Sequence, residues 1–285
     1  MYSLMKKHLG GVMDVNLSSV QQALLLPLWS RAKLTKESSP FLKDLKALEI
    51  VDKIHYDFSR IDKYVPYVNH LMNVIRAKIF DETLRQYLIK YPKASVVNLG
   101  AGLDTSFFRI DNGLLNWYDI DLPDVMVIRK YFIPETKRSH IISESIFETK
   151  WYTYIPKNTE GLIFICGGVL QYFDKNTVKS FILNLFRQFP KSEIIFDSVS
   201  RIVKYFANFN LIKIGMKGAD TKWTIINAKQ ITKWDSRIVI LDEYPIFSRI
   251  EIDDSWHRSV SRMVQLINRY RMINIFYLSY NDNIL

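Results

Sequence analysis

Val96-Val97-Asn98-Leu99-Gly100-Ala101-Gly102-Leu103-Asp104-Thr105 is the stretch that decides the fold. Ser95–Leu99 is rich in β-branched residues and reads as a buried strand. The glycines that follow turn the chain sharply without a side chain, so a ligand can approach the backbone and its N–H groups. In an open α/β sheet, ligands bind at such a point, outside the carboxyl ends of the strands. A third glycine at the helix start would complete a pyrophosphate fingerprint, but Thr105 stands nearest to that place. The turn therefore argues against a dinucleotide. Taken alone, it is equally a tight strand-to-helix turn with no ligand.

The flanking sequence extends the pattern. Asn116–Ile120 reads as a second strand and Leu122–Tyr131 as a helix opened by Pro123. Ser139–Ile142, Leu162–Ile165 and Glu193–Phe196 are further strands, and Lys175–Phe189 is a helix capped by Asp174. This alternation predicts a mostly parallel sheet with helices on both faces. Arg237–Leu241 and Asn274–Tyr280, with a helix over about 255–271 between them, predict an antiparallel pair at one edge. Before Lys93 the apolar spacing is helical over Leu17–Leu34 (kinked or split by Pro27), Phe41–Ile54 (opened by Ser39-Pro40) and Val65–Ile89. The expected organisation is a helical cap over 1–92 and a core over 93–285, with a lid insertion around 201–235.

In Trp117-Tyr118-Asp119-Ile120-Asp121-Leu122-Pro123, an acidic residue at the end of the second strand can accept two hydrogen bonds from a ribose diol. Asp121 lies 21 positions after Gly100, near the roughly 20 expected for that role. Asp119 and Asp121 point to the same face of the strand, so both are candidates, and Asp121 is nearer the strand's end. A helix N-cap and a solvated carboxylate are the alternative.

N-L-G-A-G-L-D-T-S-F-F-R-I from Asn98, Y-D-I-D-L-P-D-V from Tyr118, G-G-V-L-Q-Y-F from Gly167 and I-I-F-D-S-V-S from Ile194 occur in this order. Together they resemble the leucine carboxyl methyltransferase family, over about Leu17 to Phe247. That family includes protein phosphatase carboxyl methyltransferases and bacterial O-methyltransferases associated with polyketide biosynthesis. Leu17–Ala32 and Arg76–Asp81 resemble its N-terminal helices, which cover the cofactor site. The resemblance implies a Rossmann-like methyltransferase sheet and S-adenosylmethionine as cofactor. It implies that Arg76 grips the methionine carboxylate, as a guanidinium suits. Gly100, Ala101 and Gly102 would carry the cofactor over their backbone, and Asp121 would hold the ribose. Glu144 and Ser145 would stand at the adenine. Relatives end the fourth strand in a glutamate; here Gly167 holds that place, in Cys166-Gly167-Gly168-Val169-Leu170. A carboxylate near the methionine end is therefore missing, which weakens cofactor affinity, is covered by another acid, or signals a divergent substrate. Tyr172 lines the substrate entrance or the core.

The rest of the composition narrows the reaction. The lone Cys166 excludes an intrachain disulfide framework and reads as a buried structural thiol, since no His or Asp partner is placed beside it. The five histidines show no metal-ligand spacing, so no metal is expected. No apolar run spans a membrane, and Met1–His8 has no apolar h-region, so a cytoplasmic protein is expected. The net charge of +10 is unusual, but no block of five or six like charges occurs. A lysine-rich solvated surface is preferred to a nucleic-acid partner. Phe107, Phe108, Trp151, Tyr172 and Trp223, with Phe206 and Phe209 in the lid, are candidates for an apolar acceptor pocket. With no obvious general base, the residues favour a carboxylate or acidic phenol of a small molecule as methyl acceptor. The alternatives are a protein- or RNA-linked carboxyl, and a non-catalytic cofactor-binding relative.

Overall fold

The computed structural model describes residues 5–7, 13–15, 24–38, 40–204, 220–252 and 256–281. Seven strands form one sheet: β1 (Ser95–Leu99), β2 (Asn116–Asp121), β3 (Ser139–Ser143), β4 (Leu162–Cys166), β5 (Glu193–Val199), β6 (Ile238–Pro245) and β7 (Ile273–Tyr280). Their order is β3-β2-β1-β4-β5-β7-β6. The first five are parallel. β7 runs antiparallel to both β5 and β6. The reversed strand thus lies inside the sheet, and the edge strand β6 again runs parallel to β5. The antiparallel pairing follows the expectation. The insertion of β7 between β5 and β6 does not show in sequence, because either late strand can fill the gap.

Side chains alternate across this sheet as a period of two demands. Val97, Leu99, Phe164, Cys166 and Phe196 bury on one face, against the helix Lys175–Gln188. Val96, Ile163, Ile165, Ile195 and Ile275 bury on the other, against Tyr67–Lys90 and Arg258–Arg269. Every residue of β1 and of β4 is buried, as expected for central parallel strands covered on both faces. Asp174 caps its helix by accepting from the Asn176 and Thr177 N–H groups.

The N-terminal helices are α1 (Leu25–Thr35), α2 (Leu45–Lys53), α3 (Ser59–Tyr64) and α4 (Tyr67–Lys90). Pro27 falls in the first turn of α1, where its missing N–H costs no intrahelical bond, so no kink is needed. The part of the expected first helix over 17–23 lies outside the described residues. α2 begins at Leu45 rather than Phe41 because Asp44 is the cap, accepting the Ala47 N–H. α1, α2 and α3 share a third apolar cluster with Leu103 of the glycine turn, and with Ile128 and Phe132 of α5 (Pro123–Phe132). The glycine turn therefore sits between this cluster and the sheet. No helix among the described residues is long and apolar enough to cross a membrane.

Candidate active site

At the carboxyl end of β1 the chain turns through Gly100 at φ 70° and Gly102 at φ 48°, the left-handed region that favours glycine. A Cβ at Gly100 would lie 2.4 Å from Val169 Cγ2, and one at Gly102 would lie 2.9 Å from Leu24 Cδ2. Protein side chains therefore press on both glycines, one from the loop after β4 and one from the start of α1. The Gly100 and Ala101 N–H groups both donate to the Ile120 carbonyl, which pins the turn to β2.

The two candidate ribose acids separate cleanly. Asp119 is fully buried: Arg129 Nη2 donates to it at 2.6 Å, Trp117 Nε1 at 2.8 Å and Asn98 Nδ2 at 3.0 Å. Its carboxylate belongs to an internal network. Asp121 stands at the mouth, half-buried, with one oxygen accepting the Gly102 N–H at 2.8 Å and the other the Leu122 N–H at 2.7 Å. Burial pushes its carboxyl above the usual range, against the lowering by those two N–H groups and Arg129.

Asp104 and Thr105 brace the turn rather than face outward. Asp104 accepts the Ser106 N–H at 3.1 Å. Burial raises its pKa, but Arg31, Arg109 and Arg129 more than offset this and hold the carboxyl below its ordinary range. Thr105 Oγ1 donates to Asp44 at 2.5 Å. Arg109 Nη1 reaches Asp44 at 2.7 Å, and Arg31 links Asp44 to the Leu103 carbonyl. Arg129 donates to the carbonyls of Gly102 and Asp104, each at 2.9 Å. Asp44, Asp81, Arg109 and Arg129 have no role in the sequence reading. Charged residues in apolar helical stripes (Asp81 beside Phe80 and Leu84) are the signal that could have found them.

On the far side of the turn, Arg76 of α4 lies along Gly167 and Gly168. A Cβ at Gly168 would stand 2.9 Å from its Nη1, and one at Gly167 3.6 Å from its Nε and 3.2 Å from Phe80. Arg76 Nη1 donates to Asp197 Oδ2 at 3.1 Å, and Nη2 to Asn73 Oδ1 at 3.1 Å. The Gly168 N–H donates to Asp197 Oδ1 at 2.5 Å. Asp197 near the end of β5 thus joins Arg76 to the backbone beside Gly167, and Val169 of the same loop packs on Gly100 of the glycine turn. Tyr172, half-buried in the loop after β4, feels the charges of both Arg76 and Asp197; burial raises its hydroxyl pKa. Cys166 is buried and free, and burial pushes its thiol well up, with Asp197 and Asp121 adding to the shift.

Glu144 and Ser145 lie two strands away, just past β3. Glu144 pairs with Lys150 at 2.8 Å and borders an open cavity of about 540 Å³ lined also by Tyr118, His140 and Tyr154. That cavity touches neither the glycine turn nor Arg76. The expected aromatic acceptor pocket does not form as one site. Phe107 and Trp151 belong to cores on opposite faces of the sheet, and Phe108 is 46% exposed. Trp223 is core too, although its backbone N–H donates to the Gln171 carbonyl beside Tyr172. Phe206, Phe209 and the rest of the stretch 205–219 of the expected lid lie outside the described residues.

The sequence profile of the leucine carboxyl methyltransferase family matches residues 28–186, more than half of the chain. The chain belongs to that family. It is 29% identical over 218 residues to the tetracenomycin polyketide synthesis O-methyltransferase TcmP of Streptomyces glaucescens, covering 76% of this chain and 79% of that one. It is 24% identical to the S-adenosyl-L-methionine-dependent methyltransferase dpfgK of Gibberella zeae, covering 81% and 85%. The fold matches a solved SAM-dependent methyltransferase from Anabaena variabilis at 10% identity with a TM-score of 0.51, covering 97% of this chain and all of the other. This leucine carboxyl methyltransferase relative is therefore an S-adenosylmethionine-dependent methyltransferase. A purely ligand-binding role is set aside. The glycines at positive φ, the carboxylate of Asp121 at the mouth and the cation of Arg76 form a donor set that fits this cofactor.

Proposed function

We propose that the enzyme methylates an oxygen, carboxylate or hydroxyl, of a small molecule, and that it works in the cytoplasm. The observation that carries this is the likeness to TcmP over three quarters of both chains. S-adenosylmethionine supplies an electrophilic methyl group on a sulfonium. In this reading Arg76 binds the methionine carboxylate, and Gly100, Ala101 and Gly102 present their backbone. Asp121 accepts from the ribose, while Glu144 and Ser145 flank the adenine. Gly167 leaves room for the Arg76 side chain, and Tyr172 borders the acceptor. The residues over 1–92 act as a cap, and 201–235 as a lid that keeps water out.

In-line methyl transfer asks the protein chiefly to align two reactants. The glycine turn, Asp121, Gly167 and Tyr172 lie at or just past the carboxyl ends of β1, β2 and β4, Arg76 reaches them from α4, and Glu144 and Ser145 follow β3. No histidine stands among them, and Tyr172, its pKa raised, holds its proton at neutral pH. An acceptor that is already an anion suits this arrangement, which favours a carboxylate or an acidic phenol.

The test is transfer of radiolabelled methyl to a panel of aromatic carboxylic acids and phenols, with a short C-terminal-leucine peptide and RNA as comparison substrates. Labelled small molecules are expected; a product that releases methanol in mild alkali is an ester, and a stable one is an ether. Transfer to peptide or RNA alone overturns the reading.

A further inference from the structure

Gly167 leaves the loop after β4 without an acid of its own, yet a buried carboxylate occupies the space beside it. Asp197 is 4% exposed and comes from the next strand. It is held by the Gly168 N–H at 2.5 Å and by Arg76 Nη1 at 3.1 Å. The Arg76 guanidinium lies along the bare backbone of Gly167 and Gly168, so close that a Cβ at 168 would collide with it. Val169, the next residue, packs on Gly100 of the glycine turn. A cation and an anion therefore stand side by side, next to the turn and at the ends of adjacent strands.

Such a pair is the charge complement of a zwitterion. Among the described residues, two of the five Arg76 N–H donors are engaged, by Asp197 and Asn73. Asp197 accepts two hydrogen bonds, where a carboxylate offers about four lone-pair sites. Both groups keep capacity for a ligand that carries a carboxylate and an ammonium on one carbon. A glutamate at 167 would start 3.6 Å from Arg76 Nε and compete with Asp197 for the same guanidinium. Glycine at 167 and the carboxylate at 197 are thus two parts of one arrangement.

We infer that Asp197 binds the ammonium of the methyl donor's amino-acid end, in place of the acid absent at Gly167, while Arg76 binds its carboxylate. The inference rests on the methyl-donor reading of the site. It differs from a purely bracing role, in which Asp197 only orients Arg76.

The experiment is calorimetric binding of two ligands: S-adenosylhomocysteine, and its deamino analogue, a 5′-thioadenosine carrying a 3-carboxypropyl group on sulfur. A charge-assisted contact to the ammonium predicts that the wild type prefers the first by about tenfold or more. Asp197→Asn is expected to lose that preference, weakening S-adenosylhomocysteine by about tenfold while leaving the analogue nearly unchanged. Adding Gly167→Glu to Asp197→Asn is expected to restore part of the lost affinity. Equal weakening of both ligands by Asp197→Asn would assign Asp197 to bracing and overturn the inference. If that variant does not fold, the wild-type ratio still decides, since equal affinity for the two ligands also overturns it. Failure of the wild type to bind either ligand removes the methyl-donor reading itself, and the inference with it.

Discussion

Arg109 holds Asp81 at two points, Nε to Oδ2 at 2.6 Å and Nη2 to Oδ1 at 3.0 Å, with Asp81 fully buried. The same guanidinium reaches Asp44, the cap of α2, and Thr105, the end of the glycine turn. One side chain thus ties α4, α2 and the turn into a unit. A bidentate guanidinium can do this because its donors form a rigid fork; a lysine ammonium could not.

Arg109→Ala is therefore expected to be severely destabilising. It leaves buried Asp81 without its main partner and leaves buried Asp44 with Arg31 alone, and breaking a buried pair typically costs about 3–5 kcal/mol. Urea denaturation should show the midpoint falling with an unchanged slope. Arg109→Lys should recover only part of the loss. A loss under 1 kcal/mol for the alanine variant would show that the network is not holding the turn.

The two aspartates of β2 should separate by phenotype. Asp119→Asn strips the ion pair from Arg129 at 2.6 Å and should cost a few kcal/mol of stability. Asp121→Asn keeps its carbonyl oxygen for an N–H donor and should change stability little, while weakening S-adenosylhomocysteine by about tenfold. Paired thermal melts and calorimetry read both effects. The opposite assignment of phenotypes would move the ribose contact to Asp119.

Gly100→Ala meets two penalties that can be told apart. The new methyl collides with Val169 at 2.4 Å, and an alanine at φ 70° carries about 1–2 kcal/mol of backbone strain. Gly100→Ala with Val169→Ala should relieve the collision and keep the strain. If the double variant is no more stable than Gly100→Ala, the Val169 contact is not the constraint.

His70 is 1% exposed, with Nδ1 2.9 Å from Ser30 Oγ, and burial lowers its pKa from 6.5 to about 4. The folded state therefore keeps it neutral where the unfolded chain takes up a proton. Below pH 6.5 the unfolded state is increasingly favoured, and this loss is complete near pH 4. It amounts to about 3 kcal/mol at one pKa unit per 1.4 kcal/mol. Denaturation curves at pH 7, 5.5 and 4 should show this loss, and His70→Gln should flatten it. An equal pH slope in the variant would assign the acid sensitivity elsewhere.

Much of this architecture is local physics and was legible along the chain. The strand-turn-helix alternation, the cap at Asp174, the helix start at Pro123, and the absent third glycine follow from side-chain shape, hydrogen bonding and backbone freedom within a few residues. The departure at Gly167 was equally visible. What folding alone decided is which charges face which. Asp119 and Asp121 are two residues apart on one face of a strand, and only the inward turn of Arg129 assigns the first to the interior. Asp197 stands 121 positions from Arg76, so their pairing depends on β5 lying beside β4 and on α4 packing on one face of the sheet with Arg76 at the carboxyl end of β4. Periodicity records which side chains are buried. It does not record their partners, because a buried charge is stabilised by whichever counter-charge the tertiary fold brings within about 3 Å.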